Sequence, residues 1–168
     1  MKIFGIVGWK NSGKTTLIAA LVREFTSRGI RVSTIKHAHH GFDLDRPGKD
    51  SFQHREAGAQ EVLIAASGRW ALLHELRGAA EPTLGELVTR LSPVDLVLVE
   101  GFKNEMHPKL EVRRSGIEGP LLAQTDASIV AIATDAPLAA QPRPQFAPDD
   151  IAGIADFIQR HCGLNARP

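Results

Sequence analysis

The chain opens with short apolar runs that alternate with a stretch of helical periodicity. Residues 2–7 are mostly apolar and β-branched, which is typical of a buried parallel strand. Over residues 15–28 apolar side chains recur at helical spacing, and Gly29 favours a left-handed helix end. Residues 31–36 again have the pattern of a strand. A strand, a helix and a second strand in this order require a crossover connection and predict a parallel sheet.

The rest of the chain extends this α/β pattern and adds one hairpin. The further predicted strands are 61–66 and 70–74, joined by a turn, and then 95–100, 110–113 and 129–134. Short helices are predicted at 50–57 and 83–91. We expect the Pro-rich stretch 136–148 to be a surface connector and Asp149 to cap a final amphipathic helix that ends near His161.

Composition and charge narrow the class of protein. A length of 168 residues with 43% apolar and 23% charged residues fits one folded domain over 1–168 and excludes a disordered tail. The net charge of +1 argues against a nucleic-acid or anionic lipid surface. A single cysteine, Cys162, excludes an internal disulfide. We find no apolar run of membrane-spanning length and no signal peptide, so we expect a cytoplasmic, unprocessed protein with no membrane partner.

Residues 8–15 match the phosphate-binding loop pattern G-x-x-x-x-G-K-[ST] between a predicted strand and a predicted helix. Glycines allow close approach of the backbone, and the N–H groups at a helix start attract an anion. We expect Lys14 to bridge the outer phosphates and act in catalysis, and Thr15 to ligate Mg²⁺. The predicted nucleotide-binding residues are Gly8, Lys10, Asn11, Ser12, Gly13, Lys14, Thr15 and Thr16.

A phosphate-binding loop needs an acidic partner for its metal ion. Asp95 begins its predicted strand and would lie at the wrong edge of a parallel sheet, whereas Glu100 ends that strand beside Gly101. We therefore predict Glu100 as the metal-side carboxylate, with a surface turn as the alternative. Asp43 and Asp45 lie in a loop that could close over the nucleotide, and either could hold Mg²⁺ through water or orient the attacking water. We predict Asp45 as the residue that orients this water; a loop-capping role is the alternative.

A second group of polar residues follows the predicted strands at the same sheet edge. We assign it to a second anionic ligand, such as a pterin phosphate, or to a partner. The alternatives are a transition-metal site that includes three histidines of residues 37–40, and a solvated polar loop. The residues assigned to this group are Lys36, His37, Asp43, Lys49 and Lys103.

Three segments together resemble the family of molybdopterin-guanine dinucleotide biosynthesis protein B, or MobB. Their sequences are GWKNSGKTT, KHAHHGFDLDRPGKDSFQHREAGA and DLVLVEGFK. The resemblance runs from Lys2 to about Arg114 and implies a three-layer α/β P-loop NTPase fold, with a mostly parallel central sheet and an added β-hairpin. It further implies a dimeric protein that binds GTP with Mg²⁺, hydrolyses it weakly and assists the guanylyltransferase MobA in molybdenum cofactor maturation, with molybdopterin as a further partner.

Guanine recognition is implied by this resemblance, since no Asn/Thr-Lys-x-Asp motif is present. Asp135, after the strand 129–134, could accept hydrogen bonds from guanine N1 and N2 or could cap a turn before Pro137. Two other functions stay open. One is an ATP-dependent kinase or ligase of the dethiobiotin synthetase type, and the other is a non-catalytic adapter that nucleotide binding switches.

Overall fold

The computed structural model describes residues 1–38, 45–139 and 141–165. The strands are β1 (Lys2–Val7), β2 (Val32–Lys36), β3 (Glu61–Ala66), β4 (Arg69–His74), β5 (Leu96–Glu100), β6 (Lys109–Arg113), β7 (Ile129–Thr134) and β8 (Gln145–Phe146). The helices are α1 (Lys14–Ser27), α2 (Asp50–Glu56), α3 (Leu84–Thr89) and α4 (Ile151–Cys162), with a 3₁₀ helix at Leu122–Gln124.

Six strands form a parallel sheet in the order β2-β5-β1-β6-β7-β8. The first strand, β1, lies in the interior, with β5 on one side and β6 on the other. Parallel neighbours end at the same edge, so the segments that follow β1, β5 and β6 meet there. The prediction of a mostly parallel α/β sheet with an added hairpin is confirmed.

The two faces of the sheet are covered by different helices, and β5 shows why. Leu96 and Leu98 belong to the core that includes side chains of α1 and α4, such as Leu21 and Ile158. Val97 and Val99 point to the other face, where they pack with Leu84 of α3. Successive side chains of a strand alternate between the faces, so a strand that is apolar throughout requires a layer on each side. The arrangement has three layers, as predicted.

The chain folds into two compact units, Met1–His37 with Leu84–Pro168, and Ala38–Thr83. In the described part of the second unit, β3 and β4 pair antiparallel, with Val62 opposite Leu73. Arg55 of α2 donates to Glu75 Oε1 at 2.8 Å, and Arg77 donates to Arg55 O at 2.8 Å. The expectation of one domain stays a prediction.

Two sequence expectations about the end of the chain are wrong. Asp149 does not cap the last helix; Asp150 does, because its Oδ1 accepts a hydrogen bond from Gly153 N at 3.0 Å. The segment expected to be a plain connector contains β8, which pairs with Ile132 and Ala133 of β7. The sequence did not indicate this strand because it is two residues long and lies among prolines, which argue against a strand except at the edge of a sheet. In the described parts of the chain, no helix is long and apolar enough to cross a membrane.

Candidate functional site

The phosphate-binding loop (residues 8–15) links the end of β1 to the first turn of α1. Its backbone passes through positive φ angles at Gly8 (148°), Asn11 (62°) and Gly13 (96°). Ser12 N donates to Trp9 O at 3.2 Å, and Leu17 N donates to Gly13 O at 3.0 Å, which closes the loop onto the helix. The N–H groups of the first helical turn therefore point into the bend of the loop, an arrangement that favours an anion.

Gly8 and Gly13 serve different needs in this loop. A Cβ on Gly8 would lie 2.5 Å from Val112 O and 2.7 Å from Ser12 Oγ, so this glycine permits close packing against β6. A Cβ on Gly13 would lie no nearer than 3.6 Å to Arg114 Nη2, an ordinary contact. Glycine is required at position 13 because of its φ of 96°, an angle that residues with a side chain rarely adopt.

Lys14 folds back over the loop. Its Nζ donates to Trp9 O at 2.8 Å. Burial lowers the pKa of Lys14, Glu100 raises it, and the charges of Lys103 and Lys36 lower it further. An ammonium group that is partly removed from water and held among other cations gains most from an anionic ligand.

Thr15 and Glu100 meet at the end of the loop. Thr15 Oγ1 donates to Glu100 Oε1 at 3.0 Å and lies 3.2 Å from Oε2. The parallel register places Glu100 beside both Ile6 and Lys36, and Lys36 Nζ lies 3.4 Å from Glu100 Oε1. A hydroxyl and a carboxylate are oxygen ligands of the kind that Mg²⁺ prefers. These two residues fit a magnesium site next to the loop.

The loop also fits a phosphate group. Ser12 Oγ is buried and has no hydrogen-bond partner. A buried hydroxyl without a partner is costly, and a phosphate oxygen would satisfy it. The other predicted loop residues, Lys10, Asn11 and Thr16, are exposed.

Lys103 and His37 lie on the loop side of the sheet. Lys103 Nζ lies 4.4 Å from the centroid of the Trp9 ring, a cation–π contact. His37 N donates to Glu100 O at 2.9 Å, and its ring stacks on Phe102 with centroids 4.7 Å apart. Phe102 has a φ of 50°, a strained angle for a residue with a side chain. The structure thus brings Lys36, His37 and Lys103 to the same edge as Lys14.

Asp45 and Lys49 belong to the second unit. Asp45 accepts a hydrogen bond from Ser51 Oγ at 2.9 Å, and its Oδ2 lies 3.7 Å from Arg55 Nη1. Lys49 is exposed, and its backbone precedes α2. Asp43 lies outside the described residues, as do two of the histidines weighed for a transition metal. No group of three or more His, Cys, Asp or Glu suited to a metal occurs in the part of the chain that the structure describes.

Asp135 ties two loops together. Its Oδ1 accepts hydrogen bonds from Ser115 N at 2.8 Å and Ser115 Oγ at 2.9 Å. These hydrogen bonds lower the pKa of Asp135, and the nearby charge of Arg114 lowers it by a smaller amount. The turn after β7 is closed by Thr134, whose Oγ1 donates to Ala136 O at 2.8 Å. A role of Asp135 in guanine recognition stays a prediction.

The loop that follows β6 is a further part of this site, which no sequence pattern indicated. Trp9 Nε1 donates to Pro120 O at 2.8 Å, and Arg113 Nη1 donates to Gly119 O at 2.7 Å. Arg114, at the start of that loop, lies beside Gly13. This position depends on the strand order, which only the structure shows: β6 adjoins β1 in the sheet, so the segment after it reaches the loop edge.

Comparisons with known proteins identify the family of the chain. Residues 3–135 match the family model described as molybdopterin guanine dinucleotide synthesis protein B. The chain is 39% identical over 159 residues to the molybdopterin-guanine dinucleotide biosynthesis adapter protein of Escherichia coli K12, covering 93% of this chain and 90% of that protein. It is 41% identical over 158 residues to the adapter protein of the same name from Haemophilus influenzae, covering 94% and 87%.

Solved structures share the fold. The crystal structure of Bacillus subtilis MobB superposes with a TM-score of 0.79 at 26% identity, over 98% of this chain and all (100%) of that one. A MobB homologue from Bacillus stearothermophilus gives a TM-score of 0.74 at 27% identity, with the same coverage. Because the family model spans most of the chain and close relatives cover nearly all of it, the chain belongs to the MobB family.

Proposed function

We propose that the chain binds GTP with Mg²⁺ at the phosphate-binding loop and serves as an adapter in the biosynthesis of molybdopterin-guanine dinucleotide. The contact between Thr15 and Glu100 carries this proposal, because it brings a loop hydroxyl and a strand-end carboxylate together beside Lys14. Relatives that are about 40% identical are named as adapter proteins of this biosynthesis. The presence of the loop and of its metal-side acid supports nucleotide binding as the adapter's input.

Each residue of the site has a distinct task in binding. The backbone N–H groups of the loop and the Ser12 hydroxyl donate to phosphate oxygens, while the Lys14 ammonium exchanges its bond with Trp9 O for the outer phosphates. Thr15 and Glu100 hold Mg²⁺. When bound, Mg²⁺ supplies positive charge that stabilises the terminal phosphate oxygens. The role of Asp45 in orienting water for a slow hydrolysis stays a prediction.

The neighbouring cations provide a place for a second anionic group. Lys36 and Lys103 both lower the pKa of Lys14 by their charge, so all three ammonium groups act on the same region. A molybdopterin phosphate or an acidic surface of MobA would be attracted to this region. His37, whose backbone N–H donates to Glu100 O, completes the proposed set in the larger unit. The assignment of Asp43 and Lys49 to the second ligand stays a prediction.

A homodimer is part of the proposal, and we assign its contact to one face of the hairpin. Leu63 and Leu72 lie opposite each other, and Trp70 lies on the same face. Their exposed fractions are 62%, 43% and 65%. A two-stranded sheet is marginally stable alone, and the same face on a second copy would cover these side chains in a symmetric contact.

Calorimetric titration of the purified chain with GTP and ATP, each with and without Mg²⁺, tests the nucleotide assignment. We expect GTP to bind more tightly than ATP, and Mg²⁺ to tighten GTP binding about tenfold. Glu100→Gln should abolish the effect of Mg²⁺ without weakening Mg²⁺-free binding, because it also removes a negative charge beside the phosphates. Asp149→Asn, at an exposed acid before α4, should retain the effect of Mg²⁺. Tight ATP binding with GTP excluded would contradict the proposal and favour the kinase or ligase alternative.

The adapter role requires a separate measurement with MobA. We expect the chain to form a complex with MobA whose affinity changes at least threefold between the GTP-bound and nucleotide-free states. Analytical ultracentrifugation of the mixture, with and without GTP and Mg²⁺, measures this difference. Complex formation that does not depend on nucleotide would contradict a nucleotide-controlled adapter.

A further inference from the structure

Arg114 occupies a position in this site to which the sequence analysis gave no function. It directly follows β6, the neighbour of β1 on the side opposite β5. Its guanidinium lies against the phosphate-binding loop, since Nη2 and Nε are 3.6 and 3.7 Å from where a Cβ of Gly13 would be. Arg114 is exposed, so a ligand can reach it.

The direction of a bound nucleotide follows from the two flanks of β1. Glu100 at the end of β5 and its contact with Thr15 define the flank of the metal and of the terminal phosphates. A triphosphate that begins at this flank and passes along the loop has its nucleoside end at the other flank. Arg114 lies at that other flank, beside the first residue before α1.

The loop that carries Arg114 is fixed at both of its ends. Ser115 donates two hydrogen bonds to Asp135, and Ile117 N donates to Arg114 O at 3.2 Å. At the far end Gly119 packs on the Trp9 ring, where a Cβ would lie 2.6 Å from Trp9 Cε2. A side chain held on a fixed loop loses less conformational entropy when a ligand binds.

The charge balance favours contact with a base over contact with a phosphate. Arg114 acts electrostatically on Asp135, which carries a negative charge nearby. This carboxylate offsets the attraction of the guanidinium for a polyanion, whereas the planar face can still stack on an aromatic ring.

We propose that Arg114 binds the base of the nucleotide: its guanidinium plane stacks on the base, while Asp135 and Trp9 hold its loop in place. This inference rests on the proposed nucleotide site and adds a residue to it. It assigns Arg114 to binding of the base, and no step of hydrolysis depends on it.

Calorimetry with GTP and Mg²⁺ on three variants of the full chain tests the proposal. Arg114→Ala should weaken GTP binding about tenfold, a loss between those expected for an exposed and for a desolvated cation–π contact. Arg114→Tyr, which keeps a planar ring and loses the charge, should bind within about threefold of the wild type. Arg90→Ala, an exposed arginine in the segment after α3, is the control for loss of charge and should be unchanged.

The outcomes separate this inference from the function on which it rests. Unchanged binding by Arg114→Ala would overturn the inference, as would equal losses in Arg114→Ala and Arg114→Tyr, because charge and not the plane would then matter. In either case GTP binding by the wild type would leave the proposed function standing. A wild-type chain that binds no GTP would overturn both. Thermal melting of each variant verifies that the fold is intact.

Discussion

Single contacts at the candidate site join residues that are far apart in sequence. Thr15 and Glu100 are separated by 85 positions, yet their side chains are hydrogen-bonded. Lys14 and Trp9 are near in sequence, and their bond holds the ammonium group over the loop. The chemistry of the site thus depends on a few polar side chains that the sheet brings to one edge.

Buried polar residues lie at the opposite end of β6. Lys109 is fully buried and forms an ion pair with Asp126 at 2.9 Å. His107 is 9% exposed, and neither of its ring nitrogens has a hydrogen-bond partner. Burial, together with the charge of Lys109, lowers the pKa of His107 from 6.5 to about 4, although Asp126 acts in the other direction. The folded protein therefore holds His107 in its neutral form.

His107 should make the free energy of unfolding depend on pH. Between about pH 4 and 6.5 the unfolded chain binds a proton at this residue and the folded chain does not, so stability falls as the pH is lowered through this window. The full shift corresponds to at most about 3 kcal/mol. Urea unfolding of wild type and His107→Leu across this range measures it, and the variant should lack this part of the pH dependence.

Comparison at each pH removes the contributions of other groups. Burial raises the pKa of Glu111, so this residue lowers the free energy of unfolding as the pH rises. The pKa of Asp126 is lowered in the folded protein, so this residue stabilises the fold at higher pH and loses that contribution as the pH falls. Both residues are present in both proteins. His54→Leu, at an exposed histidine, should keep the wild-type dependence. Parallel curves for wild type and His107→Leu would contradict the assignment.

At the scale of elements, periodicity and glycine placement predicted most of the architecture. The run 96–99 is apolar throughout because both faces of β5 are covered, and β7 was predicted with its observed bounds, Ile129–Thr134. β8 was not predictable, because two residues carry no period. The predicted strand 110–113 missed only the first residue of β6, Lys109. Lys109 and Glu111 look like surface residues, and their burial depends on partners elsewhere in the fold.

The site was predictable as far as local sequence determines it. Residues 8–15 have a fixed spacing, and Glu100 follows from the rule that parallel strands end at one edge. The positions of Arg114 and of the partners of Trp9 could not be predicted without the strand order, because it is the pairing of β6 with β1 that brings the loop after β6 to the site. Sequence also could not decide between Asp149 and Asp150 as the cap, since both are acidic and adjacent.

The cap of α4 provides a direct comparison. Asp150→Ala should lower the free energy of unfolding by about 1 kcal/mol, because Gly153 N loses its acceptor at the helix start. Asp149→Ala should change it by less than about 0.5 kcal/mol. Chemical denaturation of both variants beside the wild type measures the difference. Equal losses would mean that the side chain of Asp150 has no capping role.

At the scale of the whole molecule, the two compact units have different surfaces. The larger unit contains the parallel sheet and its buried core, whereas the described part of Ala38–Thr83 exposes a row of large apolar side chains on its hairpin. Exposed apolar patches of this kind mark contacts with other proteins. The proposal therefore assigns nucleotide binding to the larger unit and self-association to the smaller one.

A charge on the hairpin face should separate the proposed dimer. Leu72→Lys places a charge opposite Leu63 and beside Trp70, so burial of this face against a second copy becomes unfavourable. Sedimentation equilibrium should show a dimer for the wild type and a monomer for the variant. Ala66→Lys, at an exposed position on the other face of the hairpin, should remain dimeric. A dimer that survives Leu72→Lys would place the contact elsewhere.

Binding of GTP at the phosphate-binding loop is most directly tested by calorimetric titration of GTP and Mg²⁺ into wild type, Lys14→Ala and Lys2→Ala. Lys2 begins β1 at the opposite end from the loop, so Lys2→Ala makes the same change away from the site. We expect one GTP per chain in wild type and Lys2→Ala, and no measurable binding in Lys14→Ala with its thermal unfolding intact. Binding of GTP by Lys14→Ala with wild-type affinity would contradict the account.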